Sequence, residues 1–585
     1  MKKFKSLILP IFLFMTSLCF SNTLFKPGTY VGSAQGYGGP IKVEVKTTDS
    51  KILSLDILEQ KETKGISDFA LKSIPKEIIE NQTLGVDTVA GATFTSNAII
   101  EATKNALKNS GVNFEKISKK IVKDTKTEIP LSDKEADVII IGAGGAGLAA
   151  GVSAYENGAK SVIILEKMPI IGGNTIRSGG AMNAVNPEKQ KKQGIEDSIE
   201  KHTTQTWEGG NKVANKKLVE TMTSNALDGV KWLENYGLKW KKEIGSVIGS
   251  VWPRTNQAED ILGTGYINTL EKAFSKYGGK IFLETKAVKL IEKDGKVIGV
   301  VATDKNGKDI EFIGKKGVII ATGGYAANFD MVKEYLDDGV YQKENLPKTL
   351  ENTNHPGATG DGIKMAKDVN AQLVDMKHVQ LLPMPADRFG PTINVDNVIF
   401  INKDGNRYVK EDGRRDEICL ATFAQKDGQY YMINDSQIIP SDRKTTSGQD
   451  LDELIKKGTV IEAPTLAQLA KEIGIPEDVL VKTINEFNQA VEKKSDNLGR
   501  QIWGNKIEKG PFYATLRFPA LHHTMGGVKI NEKAQVIDKN NAPITGLYAA
   551  GEVTGGIHGA NRLGGNAITD IIVFGRIAGE NIMKQ

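Results

Sequence analysis

The sequence predicts an α/β protein in which a Rossmann-like domain follows a small α+β domain. Two observations carry the first part of that reading and one carries the second. Asp137-Val138-Ile139-Ile140-Ile141 reads as a buried parallel strand that runs straight into Gly142-Ala143-Gly144-Gly145-Ala146-Gly147 and an alanine-rich helix. Such a turn leaves the N–H groups of a helix N-terminus free to hold a pyrophosphate. A second strand starting at Ser161 ends on the acid Glu166, 22 residues after Gly144, a spacing that suits the ribose hydroxyls of an adenosine. Ahead of both, Gly28–Ser33, Ile41–Val45 and Ile52–Ile57 alternate like a small antiparallel sheet, and Ser96–Ser110 reads as a helix.

At 585 residues the chain has room for several domains with cores of their own. Its formal charge of +5 includes Lys2, Lys3 and Lys5, and no basic arm or motif for nucleic acid is present. The first residues read as a secretory signal: basic Met1–Lys5, apolar Ser6–Leu18, and small Cys19 and Ser21 ahead of a cut before Asn22. The apolar run falls short of the roughly 20 residues that span a bilayer. The expected protein is exported, to a periplasm or a cell surface. Removal of residues 1–21 leaves Cys419 as the only cysteine, which excludes an intrachain disulfide, a Cys-x-x-Cys-His haem and a cysteine-held iron–sulfur cluster. No metal site is expected.

The densest signal lies near the C-terminus. His522-His523-Thr524-Met525-Gly526-Gly527 is followed by Gly551-Glu552-Val553-Thr554-Gly555-Gly556-Ile557-His558-Gly559-Ala560-Asn561-Arg562-Leu563-Gly564-Gly565-Asn566-Ala567-Ile568. So many glycines around histidine and arginine bring backbone against a large planar ligand while cations meet a carboxylate. From about Glu135 to the C-terminus the chain resembles the flavoprotein subunits of the fumarate reductase and succinate dehydrogenase superfamily, in particular soluble fumarate and urocanate reductases.

The resemblance implies a non-covalent FAD held by Gly142, Ala143, Gly144, Ala146, Gly147, Glu166, Asn174, Thr175, Gly179, Gly180, Ala181, Glu552, Asn566, Ala567 and Ile568. It adds Asp361 of Thr359-Gly360-Asp361-Gly362, which as a residue type serves equally well as a turn former. It makes residues 376–509 a capping domain inserted between two parts of the FAD domain, 135–375 and 510–585. A stretch from Leu466 to Lys493 in this cap has helical spacing. In the family, the arginine before the aspartate of Gly413-Arg414-Arg415-Asp416 donates a proton to substrate, so Arg415 is the candidate, with Arg414 as the neighbouring ambiguity. The implied reaction reduces a C=C bond conjugated to a carboxylate, with hydride from FAD N5, a proton from Arg415, and Arg562 and His523 clamping the carboxylate. His522 and His558 read as structural.

Asp87-Thr88-Val89-Ala90-Gly91-Ala92-Thr93-Phe94-Thr95-Ser96, within residues 22–112, resembles the flavinylation motif of FMN-binding domains. It implies a covalent FMN on Thr95, attached by a flavin transferase and relaying electrons. Ala90 stands where that motif commonly has serine. Lysine-rich residues 113–134 read as a linker. A membrane quinol-oxidising protein or a cytochrome is the expected electron donor.

The chain departs from the family at the far end of the substrate. Fumarate reductases have Gln-x-His-Pro-Thr, with histidine on the second carboxylate, and urocanate reductases have tyrosine in its place; here the string is Gln380-Leu381-Leu382-Pro383-Met384. Leu382 cannot donate a hydrogen bond, and a carboxylate left unpaired beside it costs several kcal/mol. The expected substrate is therefore an enoate with one carboxylate, of the acrylate, methacrylate or cinnamate kind. Urocanate or fumarate requires His378 or Arg388 as a substitute contact. Two further alternatives are a secreted flavin electron carrier and a dehydrogenase running toward the unsaturated product, as in steroid oxidation; the carboxylate clamp speaks against both.

Overall fold

The computed structural model describes residues 23–62, 66–89, 92–119, 134–336, 341, 350–383, 395–445 and 448–585. The expected signal sequence, most of the expected linker, Ala90, Gly91 and Arg388 lie outside the described residues.

The small domain opens with strands β1 (Gly28–Gln35), β2 (Pro40–Thr47) and β3 (Ile52–Glu59) in an antiparallel meander. Helices α1 (Asp68–Asn81) and α2 (Thr93–Leu107) follow. Ile41, Val43 and Val45 alternate onto one face of β2 and share a core with Ile74 and Ile78 of α1 and with Ile99 and Ala102 of α2. Gly32 lets α2 lie directly on β1, since a Cβ there would stand 2.3 Å from the Ala106 nitrogen. Helix α1 is an addition to the sequence reading: Pro75 sits inside it, at a position that ordinarily breaks helices, and burial of Ala70, Ile74 and Ile78 outweighs that penalty. The domain also runs further than residue 112. Ile117 is 3% exposed in the same core, and Thr83 donates to its carbonyl, so residues 113–119 are not linker.

Strand β4 (Glu135–Ile141), helix α3 (Gly145–Glu156) and strand β5 (Val162–Leu165) form the expected strand–turn–helix–strand unit. In the central sheet, β4 and β5 lie parallel to each other, to Lys280–Phe282 on one side and to the end of Asp309–Ile320 and then Pro543–Ala549 on the other. The C-terminal helix Asn566–Met583 packs along α3, where Gly575 and Gly579 let the backbones close up.

Strand pairing moves both cap boundaries. Val379–Leu382 pairs antiparallel with Ala520–Thr524 at the FAD-domain edge, while Phe512–Arg517, expected in the second FAD segment, is a strand of the cap sheet. That sheet runs Ile399–Ile401, Tyr430–Asp435, Phe512–Arg517, Val460–Ala463. The inserted part thus lies between Leu382 and Ala520, which face each other across the ladder. The expected helix from Leu466 to Lys493 is two helices, Leu466–Ile473 and Glu477–Lys493. Gly474, with φ 71°, terminates the first in the left-handed conformation, and Pro476 precedes the second. Between the cap's strands and helices, Arg500 and Glu411 form a fully buried ion pair at 3.0 Å that also takes in Arg407. The small domain touches both other parts: Ile170 joins its core, and Lys61 pairs with Asp450 of the cap at 3.0 Å.

Candidate active site

Three chambers open into one another along the edge of the central sheet. The first is walled by Gly142, Gly144, Ala146, Glu166, Asn174, Thr175, Asp361 and Glu552, among others. Asn174, Thr175 and Glu552 also wall the second, together with His522, His523, Arg562, Ala567 and Ile568. The third shares Ser178, His522, Arg562, Ala567 and Ile568 with the second, and adds Gly179, Ala181, Val247, Ile248, Leu382 and Arg415.

The first chamber fits a dinucleotide. Helix α3 follows Gly144, which has no side chain to cap it; Thr175 Oγ1 accepts from Gly145 N–H at 3.2 Å, and the positive dipole end of the helix borders the cavity. A Cβ at Gly144 or Gly173 would meet no atom nearer than 3.9 Å, so these glycines border open space. Gly142, with φ 104°, and Gly147 serve the turn itself: a Cβ on Gly147 would lie 1.9 Å from the Gly142 carbonyl oxygen. Glu166 is fixed by Ala143 N–H and Met168 N–H, each at 2.9 Å, and burial pushes its carboxyl upward. Asp361 is held by Lys167 at 2.6 Å, and that partner keeps its carboxyl below the ordinary value.

Some expected cofactor residues stand behind the walls rather than in them. Ala143 and Gly147 shape the turn, and Gly180 accepts from the Tyr266 hydroxyl at 2.9 Å. Asn566 binds Asn183, His202 and Thr206, fixing the segment that presents Ala567 and Ile568.

The second and third chambers meet at Arg562. It is 3% exposed, donates to the Leu563 carbonyl at 3.1 Å, and has a buried Nε with no partner among the described residues. Burial lowers its pKa to about 10. His523 is equally buried, its Nδ1 has no partner among the described residues, and desolvation followed by the Arg562 charge holds it neutral, well below the usual histidine range. The Arg562 Nε–H is a buried donor without an acceptor among the described residues, and the His523 ring beside it supplies a second in the tautomer that carries its proton on Nδ1; an incoming carboxylate satisfies both. His558 backs them, ring centroid 5.6 Å from His523, and is anchored to Asp570 at 3.2 Å. His522, read from sequence as structural, lines both chambers while bonded to Thr353 at 2.7 Å.

Of the two adjacent arginines, the structure brings only Arg415 to the chamber. Arg414 turns outward to Asp416 and Asn211, at 2.6 and 2.8 Å. Arg415 opens the helix Arg415–Phe423, with Nε donating to the Ile248 carbonyl at 3.0 Å and Nη1 to Gln380 at 3.2 Å. Gly249, at φ 77°, clears its path, because a Cβ there would stand 2.6 Å from Arg415 Cγ. Gln380 also donates to the Asn561 side chain and the Arg562 carbonyl, at 3.0 and 2.6 Å. It ties Arg415 to the loop carrying Arg562, a role the sequence reading did not assign although it quoted the residue.

Leu382 is 4% exposed, packs with Ile248, Val398, Phe400 and Ile418, and lines the third chamber beside Val247 and Ile248. His378, the expected substitute contact, lines none of these chambers. It sits in the turn before the Val379–Leu382 strand, and burial lowers its pKa to about 4. Thr95 lies in the small domain on the first turn of α2, 1% exposed.

The fold and the first chamber define a dinucleotide-binding protein, and two flavin-binding families match the chain. Residues 137–568 match the FAD binding domain family and residues 36–108 the FMN-binding domain family, and the chain belongs to the first. It is 36% identical to the NADH:acrylate oxidoreductase of Vibrio harveyi over 95% of this chain, but spans only 61% of that protein's length. It is 36% identical to the urocanate reductase of Eggerthella lenta, over 94% of this chain and 91% of that one. Among solved structures, the open conformation of a flavocytochrome c3 fumarate reductase superposes with a TM-score of 0.60 at 35% identity, over 77% of this chain and 78% of the other.

Proposed function

We propose that this protein reduces the C=C bond of an α,β-unsaturated carboxylate, and that its substrate carries one carboxylate and an apolar tail. The observation that carries the reading is the buried Nε–H of Arg562, unpartnered among the described residues, which lines one chamber with His523 and another with the apolar Val247, Ile248 and Leu382. A bound FAD, held by the first chamber, supplies the hydride. Arg562 and His523 bind and orient the carboxylate and offset negative charge developing on it and on the α-carbon. Arg415 holds the proton that the α-carbon receives; its place in the cap makes closure a condition of protonation and of water exclusion.

The acrylate and urocanate activities named for the relatives agree with an enoate, and the apolar wall favours the acrylate kind over fumarate. Covalent FMN on Thr95, attached by a flavin transferase, and export behind residues 1–21 complete the reading. Electrons enter from a membrane quinol-oxidising protein or a cytochrome. Oxidation of reduced methyl viologen against acrylate, methacrylate, cinnamate, urocanate and fumarate tests it. The expected order puts a monocarboxylate first, and no turnover with any enoate refutes the reductase reading.

A further inference from the structure

We propose that Glu62 is the general base that activates Thr95 for covalent flavin attachment, an inference that rests on the reading of Thr95 as the acceptor. The Thr95 hydroxyl donates to Oε2 of Glu62 and lies 3.0 Å from the Ser67 hydroxyl. An ionised carboxylate only accepts, so the single Thr95 proton belongs to Glu62 and Ser67 donates to the Thr95 oxygen. Nothing structural asks for this trio: α2 is capped by Ala92 without a side-chain bond, and Ser67 makes no capping bond to α1.

Glu62 is also held from behind. Gly38 N–H donates to its Oε1 at 2.9 Å, and its own N–H donates to Gln60 at 2.6 Å. Two glycines make room for the arrangement. A Cβ on Gly36 would lie 2.3 Å from Oε1 of Glu62, and one on Gly38 would lie 1.9 Å from the Lys61 carbonyl oxygen. The turn between β1 and β2 is thus shaped around one carboxylate aimed at one buried hydroxyl.

The reaction balances with FAD as the flavin donor, presented by the transferase. The Thr95 oxygen forms a bond to the phosphorus of the FMN half while the bond from that phosphorus to the bridging oxygen breaks. AMP leaves with the electron pair, the Thr95 proton passes to Glu62, and Glu62 returns it to solvent. The flavin ring is neither oxidised nor reduced.

The test is a time course of flavin fluorescence on denaturing gels, using the full chain with flavin transferase and FAD. Glu62→Gln, nearly isosteric, should slow attachment at least about a hundredfold, the usual scale of a lost general base, with bound FAD and melting temperature unchanged. Should Glu62→Gln lower the melting temperature, Glu62→Asp, which keeps the charge but withdraws it by one methylene, should still attach flavin about tenfold more slowly. Wild-type rates in the variant that melts normally, with Thr95→Ala unlabelled, overturn the role of Glu62 and leave the acceptor standing. Flavin retained on Thr95→Ala overturns the acceptor itself.

Discussion

Arg562 is an arginine made weaker by its surroundings, and that has a measurable consequence. Burial brings its pKa to about 10, so it is charged at neutral pH and loses its proton within reach of experiment. A carboxylate binds only the charged form; affinity should therefore hold steady at neutral pH and weaken as pH rises through about 10. A Kd for acrylate that is flat to pH 11 would remove Arg562 from the clamp. At Arg415 the expectation concerns rate: Arg415→Ala should lose several orders of magnitude in turnover with FAD still bound, since the first chamber does not include it. Near-normal turnover moves proton donation elsewhere. Specificity belongs to Leu382. An apolar-tailed enoate should exceed fumarate in kcat/KM by at least about a hundredfold, given several kcal/mol for an unpaired carboxylate, and Leu382→His should narrow the ratio. Wild-type preference for fumarate would defeat the apolar-wall reading. Arg415, Arg562 and Leu382 were legible in the sequence because each sits inside a dense local motif. Gln380 and Glu62 were less so, because their importance lies in partners 35 and 33 residues away, Arg415 and Thr95.

Elements declared by short-range pattern were read well, and elements that depend on distant burial were not. Strand β4 with its glycine turn combines an unbroken apolar run with positions where only glycine fits, and both show in sequence. Helix α1 hides behind Pro75, and Phe512–Arg517 gives no local sign of which sheet it joins, since it is buried along nearly its whole length. The glycine positions yield a test at this scale. Gly249→Ala places a methyl 2.6 Å from Arg415 Cγ and imposes a positive φ on a non-glycine residue, so it should cut turnover at least about tenfold while FAD stays bound. Gly147→Ala instead strikes the β4–α3 turn and should cost FAD itself, read from the flavin spectrum of purified protein. Equal FAD content and equal turnover in the two variants would break this division of labour.

At the scale of the molecule, buried histidines set the response to acid. His202 is lowered to about 3, His355 and His378 to about 4, and His523 well below its ordinary value, in each case chiefly by desolvation. A folded pKa below the unfolded value of about 6.5 means that the unfolded chain gains protons first, so stability is full above that pH and falls below it. Each such histidine adds a slope of about 1.4 kcal/mol per pH unit between 6.5 and its folded pKa. The histidines should lower the melting temperature of the holoprotein below about pH 6.5, opposed in part by buried carboxylates such as Glu166 and Glu552 that are raised by burial, and His202→Gln should lessen the slope. A melting temperature constant down to pH 5 would contradict this. Histidine count was readable from sequence; neutrality was not, because it arises from the whole packed surround.

Leu382 and Ala520, opposite each other across one antiparallel pair, mark where the chain departs for the cap and where it comes back. An excursion whose two ends are neighbours needs no rearrangement of its host to be added, enlarged or exchanged. The dinucleotide chamber and Arg562 stay with the host, whereas Arg415 travels with the excursion. On the proposed mechanism, the part that holds the dinucleotide and the part that carries the proton donor Arg415 are separately inheritable. New chemistry on this fold can therefore arise by replacing one loop of a hairpin, leaving the cofactor site as it was.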